Sequence, residues 1–178
     1  FPLSALQRLT EDIEYHHVLL NAAVQATDPS TRLLYISAFA ASMYAGTLGR
    51  VAKPFNPLIG ETYELSGPGW RFLAEQVSHQ PPIAVSWLET SEYIYCSEFN
   101  VKASIHLGYL EAIPLAKCHL WLVKAKEHYS WNRVHFMVNG LIIGDRWIDY
   151  YGESRIINHT GGNHAKIELK KGTKEKGK

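Results

Sequence analysis

The chain has 178 residues, 46% of them apolar and 20% charged, with a net charge of +1. Those values fit one globular domain with a real core. They exclude a nucleic-acid binder built on a broad basic face and, with only Cys96 and Cys118, a disulfide scaffold.

In chain order, Ser4 followed by Gln7 starts a helical stretch as a capping box. Leu3, Leu6, Leu9, Ile13 and Leu20 recur at a spacing of three to four and mark one apolar face. Asp28-Pro29 supplies an N-cap and a first-turn proline for a second helix reaching about Met43–Tyr44. Its middle, LLYISAFAASMYAG, is apolar nearly all round and predicts burial on all sides. Gly46 and Gly49 are expected to stop it. The apolar run Leu33–Ala45 is shorter than the ~20 residues of a membrane span.

From Tyr63 onward, runs rich in Val, Ile, Tyr, Trp and Phe alternate with turn residues. They are RFLAEQV, IAVSWLE, YIYCSEF, ASIHLGYLEAI, KCHLWLVKA, NRVHFMV, RWIDYYG, SRIINHT and AKIELKK. Short turns such as Ser66-Gly67-Pro68-Gly69 and Gly161-Gly162-Asn163 predict an antiparallel meander. So many consecutive strands predict a barrel or a strongly curled sheet, which can hold a small apolar ligand. The expected organisation is a helical layer over 1–50, barrel strands over 51–171 and a basic tail over 172–178. The tail lysines reach an anionic surface or simply a solvated end.

Two proline-bearing stretches stand out. In Lys53-Pro-Phe-Asn-Pro-Leu-Ile-Gly-Glu61 the prolines stiffen a segment carrying one ammonium and one amide. A rigid helix-to-strand connector with a solvated lysine would leave the same trace. In Glu75-Gln-Val-Ser-His-Gln-Pro-Pro-Ile83, strand alternation places Val77 and His79 on one face and Ser78 and Gln80 on the other. A strand break at His79 would turn His79 and Gln80 toward one site. With Lys53, such donors suit a phosphate, although a surface turn also fits. Catalytic chemistry finds no complete set. Ser78 and His79 point apart, no G-x-S-x-G elbow occurs, and His159 with His164 alone is no zinc site. No cofactor is expected. Asn158-His-Thr160 fits a glycosylation sequon, which acts only in a secreted chain, and with no signal peptide read in the sequence it is expected to stay unmodified.

Together, KPFNPLIGETYEL and EQVSHQPPI resemble the lipid-binding domain of the oxysterol-binding protein family, whose signature reads EQVSHHPP. PLSALQRLTEDIEY, HYSWNRVHFMVNGLIIGDRWIDYYGE and NHTGGNHAKIEL resemble further parts, so the likeness spans the chain. It implies a mainly β fold with N-terminal helices, an incomplete antiparallel β-barrel enclosing an apolar lipid tunnel. It implies transport rather than catalysis. A sterol or similar lipid is exchanged against phosphatidylinositol 4-phosphate by a cytoplasmic protein that touches membranes peripherally at organelle contacts. A monomer is expected. Lys53, Asn56 and His79 match headgroup-binding positions, and Phe55 is a weaker candidate through its backbone. Gln80 stands where the signature has its second histidine. It can donate a hydrogen bond but cannot become cationic, which implies weakened phosphoinositide binding. A lipid sensor or scaffold without efficient exchange is the alternative. The family domain extends beyond both ends of this sequence, so the chain reads as part of a larger one.

Overall fold

The computed structural model describes residues 3–47 and 52–172. The capping box forms as the sequence predicts, with Ser4 accepting from Gln7 N and the Gln7 side chain accepting from Ser4 N at 3.0 Å. The helix it starts is short: α1 spans Ala5–Arg8 and a 3-10 segment continues over Leu9–Ile13. α2 spans His16–Gln25 and α3 spans Pro29–Ser42, capped by Asp28 onto Thr31 N at 2.8 Å. A 3-10 turn over Ala45–Thr47 follows α3, and the expected stop at Gly49 lies outside the described residues. α3 corrects one expectation. Leu33, Ile36, Phe39 and Ala40 are buried along one stripe, but Leu34 and Tyr35 face solvent, so one side alone packs.

The strands are β1 (Thr62–Gly67), β2 (Trp70–His79), β3 (Pro82–Thr90), β4 (Tyr93–Ile105), β5 (Tyr109–Pro114), β6 (Lys117–Leu122), β7 (Glu127–Asn132), β8 (His135–Asn139), β9 (Trp147–Asn158) and β10 (His164–Leu169). All neighbours pair antiparallel. Ile105↔Leu110, Val101↔Pro114, Ser97↔Cys118 and Tyr93↔Leu122 are evenly spaced along β4. Leu115 N bonds Asn100 O at 2.8 Å across the gap. β5 and β6 are therefore one long strand interrupted at 115–116. β7 and β8 form a second, interrupted at 133–134, lying on β6 and β5 respectively. β9 spans both halves of it, with Trp131↔Ile156 and His135↔Tyr151. The result is the expected meander, each long strand beside the next. Among the described residues β1 and β10 each pair on one side only, so the sheet is open rather than a closed barrel.

Two expected strand boundaries move. ASIHLGYLEAI contains a turn at 106–108, because Gly108 takes φ +91° and reverses the chain. RWIDYYG and SRIINHT are one strand, β9, which passes through Gly152 at φ +109° where it changes partner. The β1–β2 turn is Pro68-Gly69, with Gly69 at φ +78°, the geometry that Pro-Gly favours.

The helices cover one face of the sheet. Phe39 packs edge-on to Tyr95 at 5.4 Å and to Trp131 at 6.2 Å, and Tyr95 stacks on Trp131. These buried rings carry much of the hydrophobic stabilisation, at ~25 cal/mol per Å² removed from water. Polar ties lock the layers together. Arg32 of α3 forks onto Glu127 with two 3.0 Å bonds, Glu127 accepts from Tyr129 Oη, and Tyr129 Oη accepts from Asn158. Arg133, at the interruption between β7 and β8, reaches Asp12 at 2.5 Å and Ser97 at 3.1 Å. Burial raises the pKa of both Cys96 and Cys118, so both stay neutral thiols, as expected for free cysteines.

His16 is buried under Trp70, with Nδ1 2.8 Å from Tyr93 Oη. Burial, aided by His17, lowers its pKa from 6.5 to about 4. Between those values the unfolded chain binds the extra proton and the folded chain does not. Stability is therefore lost as pH falls from 6.5 towards 4, by about 3 kcal/mol from this group. Burial also lowers His119 and His128, which add to the same trend. His16→Phe should flatten the pH dependence of the urea midpoint over that window. An unchanged slope would remove His16 as its source.

Candidate functional site

The two proline-bearing stretches meet at one end of the sheet. Phe55 is strapped to the N-terminal segment by Phe55 N→Leu3 O at 3.0 Å and Ala5 N→Phe55 O at 2.9 Å. Pro57 is buried, while Lys53, Phe55 and Asn56 are exposed. A turn then closes over Leu58–Glu61, where Glu61 accepts from Leu58 N at 2.8 Å. That turn is tied to β2 by Gly60 N→Gln76 O at 2.8 Å and Gln76 N→Glu61 O at 3.0 Å. Gln76 is buried, and its side chain donates to Ser78 O at 2.7 Å. The amide thus stiffens the backbone two residues ahead of it.

β2 does not alternate to its end as the sequence predicts. Gln76 pairs with Ala84, but Ser78 pairs with Ile83 and His79 with Pro82. Val77 is the extra residue of a β-bulge. Before the bulge, Phe72, Ala74 and Gln76 point to the helix-covered face. After it, His79 takes that parity while Ser78 lies on the opposite face beside Ile83. Val77 and His79 therefore do not share a face. The strand ends at His79, and the Gln80–Pro81 peptide in the turn that follows is cis.

His79 and Gln80 are exposed, as are Lys53 and Asn56. Among the described residues no hydrogen bond joins the first pair to the second. What brings the stretches together is backbone, through the 58–61 turn. The arrangement is two stiffened loops presenting an ammonium, an amide, an imidazole and a second amide to solvent. Donors of this kind can bind an oxygen-rich anion.

Two clefts lie elsewhere. One of about 520 Å³ opens between the N-terminal helices and the β1–β2 hairpin, lined by Ile13, His16, His17, Tyr63, Leu65 and Trp70 among others. Another of about 490 Å³ lies on the sheet face away from the helices, beside Leu73, Trp87 and His119. None of Lys53, Asn56, His79 and Gln80 lines either. Sequence reasoning missed the bulge and the Gln76 brace, since a glutamine inside a strand run carries no signal of its own. Among the described residues no group of three or more His, Cys, Asp or Glu side chains is placed to hold a metal ion, and no helix is long and apolar enough to cross a membrane.

Comparison with known proteins accounts for the pattern. The oxysterol-binding protein family profile matches residues 1–178. Oxysterol-binding protein homolog 2 of Saccharomyces cerevisiae is 41% identical, over 95% of this chain and 14% of its own length. The human oxysterol-binding protein-related protein 7 is 40% identical, over 93% of this chain and 20% of its own. Among solved structures, the Osh1 ORD domain in complex with cholesterol superposes with a TM-score of 0.91 at 39% identity, covering 96% of this chain and 42% of that one. The Saccharomyces cerevisiae Osh3 ORD in complex with PI(4)P gives 0.87 at 28% identity, covering 99% and 47%. The chain thus spans a fifth or less of these curated relatives and under half of the solved domains. The matched family is one of binding proteins, not enzymes. On the profile match over its whole length, the chain belongs to the oxysterol-binding protein family.

Proposed function

We propose that this chain is part of an intracellular lipid-transfer domain. It takes a sterol or similar lipid and exchanges it against phosphatidylinositol 4-phosphate between membranes it touches peripherally. The observation that carries the reading is the pair of backbone bonds between Gly60, Glu61 and Gln76. They tie the end of the Lys53–Glu61 segment to Gln76, three residues before β2 ends at His79, and Lys53, Asn56, His79 and Gln80 are all exposed. Relatives of this fold are solved with cholesterol and with PI(4)P, which supports both ligand classes here. In this reading Lys53 supplies the charge, Asn56, His79 and Gln80 supply further N–H donors, and Phe55 contributes backbone only. The protein acts as a monomer, in the cytoplasm, at contacts between organelles.

Gln80 favours a second reading. A neutral amide in place of an imidazole weakens hold on a phosphorylated headgroup, leaving a sensor or scaffold that binds lipid without exchanging it. Liposome assays separate the two: a carrier accelerates sterol transfer in proportion to the phosphoinositide gradient, and a sensor binds without accelerating. Gln80→His should tighten phosphoinositide binding about fivefold, the difference between a charge-assisted and a neutral hydrogen bond. Equal affinity of the two proteins would leave Gln80 without a headgroup role.

A further inference from the structure

We propose that the paired turns at 105–108 and 140–144 form an insertion tip that seats the protein in a lipid bilayer. The proposal rests on the lipid-binding reading above and assigns it a membrane-facing surface.

The tip is a consequence of strand length. β3 ends its pairing at Ile83↔Asn100, yet β4 continues to Ile105. At ~3.3 Å per residue, this hairpin overhangs the β2–β3 turn by roughly 17 Å. β8 follows β5 along the overhang, with Tyr109↔Asn139 as the last pair. Beyond it, Leu141 N bonds Gly108 O at 3.1 Å, so the two turns travel as one unit. Gly108 at φ +91° and Gly140 at φ +72° make the sharp reversals. A side chain at Gly140 would collide with Asp145 O, so the second loop closes tightly on itself.

The side chains on these turns are aliphatic and exposed: Ile105 is 80% exposed, Leu107 92%, Ile142 64% and Ile143 87%. Single exposed apolar residues are ordinary, but four on two bonded turns form a patch. None of the four lines either cleft described above, and none is an aromatic or arginine anchor of the kind that dominates protein interfaces. A fluid apolar phase needs neither. Behind the tip stand exposed Lys102, His106 and Arg146, with Asp145 and with Glu111 3.8 Å from His106. Lys102 and Arg146 are balanced by Asp145 and Glu111 at that level, so the aliphatic side chains rather than net charge drive the seating. The tip also shares its end of the sheet with His79 and with the 53–61 segment, where Phe55, Leu58 and Ile59 are exposed as well. Docking there brings the candidate headgroup site towards the membrane.

The test uses the intact protein and vesicles of phosphatidylcholine and phosphatidylserine that contain neither sterol nor phosphoinositide. The double variant L107D/I143D should partition into these vesicles at least tenfold less than the unaltered protein, with the same thermal midpoint and unchanged binding of a soluble fluorescent sterol. L107W should show quenching by brominated acyl chains beyond that of the unaltered protein, whose five tryptophans set the background. Equal partitioning of the double variant, or an unquenched indole at 107, overturns the insertion tip while leaving the lipid-binding reading intact. Tip-dependent partitioning in a protein that binds neither sterol nor phosphoinositide upholds the tip and removes the exchange reading instead.

Discussion

Asp12→Ala should lower folding stability by about 3–5 kcal/mol, the range for stripping one partner from a buried ion pair. Asp12 and Arg133 are each about one-tenth exposed along their side chains, and they meet at 2.5 Å. Arg133 Nη2 also reaches Ser97 Oγ, but its Nε is buried without a partner. Removing the carboxylate leaves a guanidinium that is charged at any accessible pH and cut off from water. The site is also where the helical layer meets the interruption between β7 and β8, and Tyr44 Oη bonds Val134 N at 3.1 Å beside it. Damage there should loosen both layers. Arg133→Met alone should cost a similar amount, since it strands the carboxylate. D12L/R133M should recover much of the loss, because apolar side chains of similar volume need no partner. Urea denaturation reads all three, provided the slope stays constant. A loss below about 1 kcal/mol for Asp12→Ala would mean that water reaches the guanidinium.

Lys53→Ala should weaken binding of phosphatidylinositol 4-phosphate roughly 10- to 100-fold, the worth of one charge-assisted hydrogen bond. Its ammonium is exposed, and the segment is fixed by backbone bonds at Phe55 rather than by the lysine side chain. The unfolding midpoint should therefore not move. Sterol binding should persist, which separates a headgroup role from general damage. Lys53→Arg should keep most of the affinity and its salt dependence. Equal affinities for the unaltered protein and Lys53→Ala would remove the lysine from the site.

Much of the architecture was legible because local chemistry and final structure agree. The Ser4–Gln7 box, the Asp28-Pro29 start and the Pro68-Gly69 turn each act over three or four residues. Elements decided by distant partners were not legible. β9 reads as two runs, RWIDYYG and SRIINHT, because Gly152 interrupts the pattern, yet partners on β7 and β8 keep it extended through the glycine. Leu34 and Tyr35 look buried in a helix apolar all round, but only one side of that helix meets the sheet. At the candidate site, the prolines mark two stretches that lie in backbone contact. Their joining through Gly60 and Gln76 depends on backbone groups that every sequence carries, so no residue type announces it.

The bulge at Val77 also bears on how such a chain can vary. Upstream of it, β2 contributes Phe72, Ala74 and Gln76 to the covered face, where substitutions disturb packing. Downstream, His79 at the strand's end and Gln80 in the turn after it stand in solvent. One supernumerary residue thus divides the strand into two compartments that mutation can explore separately. Loss of Val77 alone would restore unbroken alternation, leaving His79 opposite Pro82 on the face it now has and every upstream neighbour where it was. Ligand preference can drift at the turn without the core having to follow.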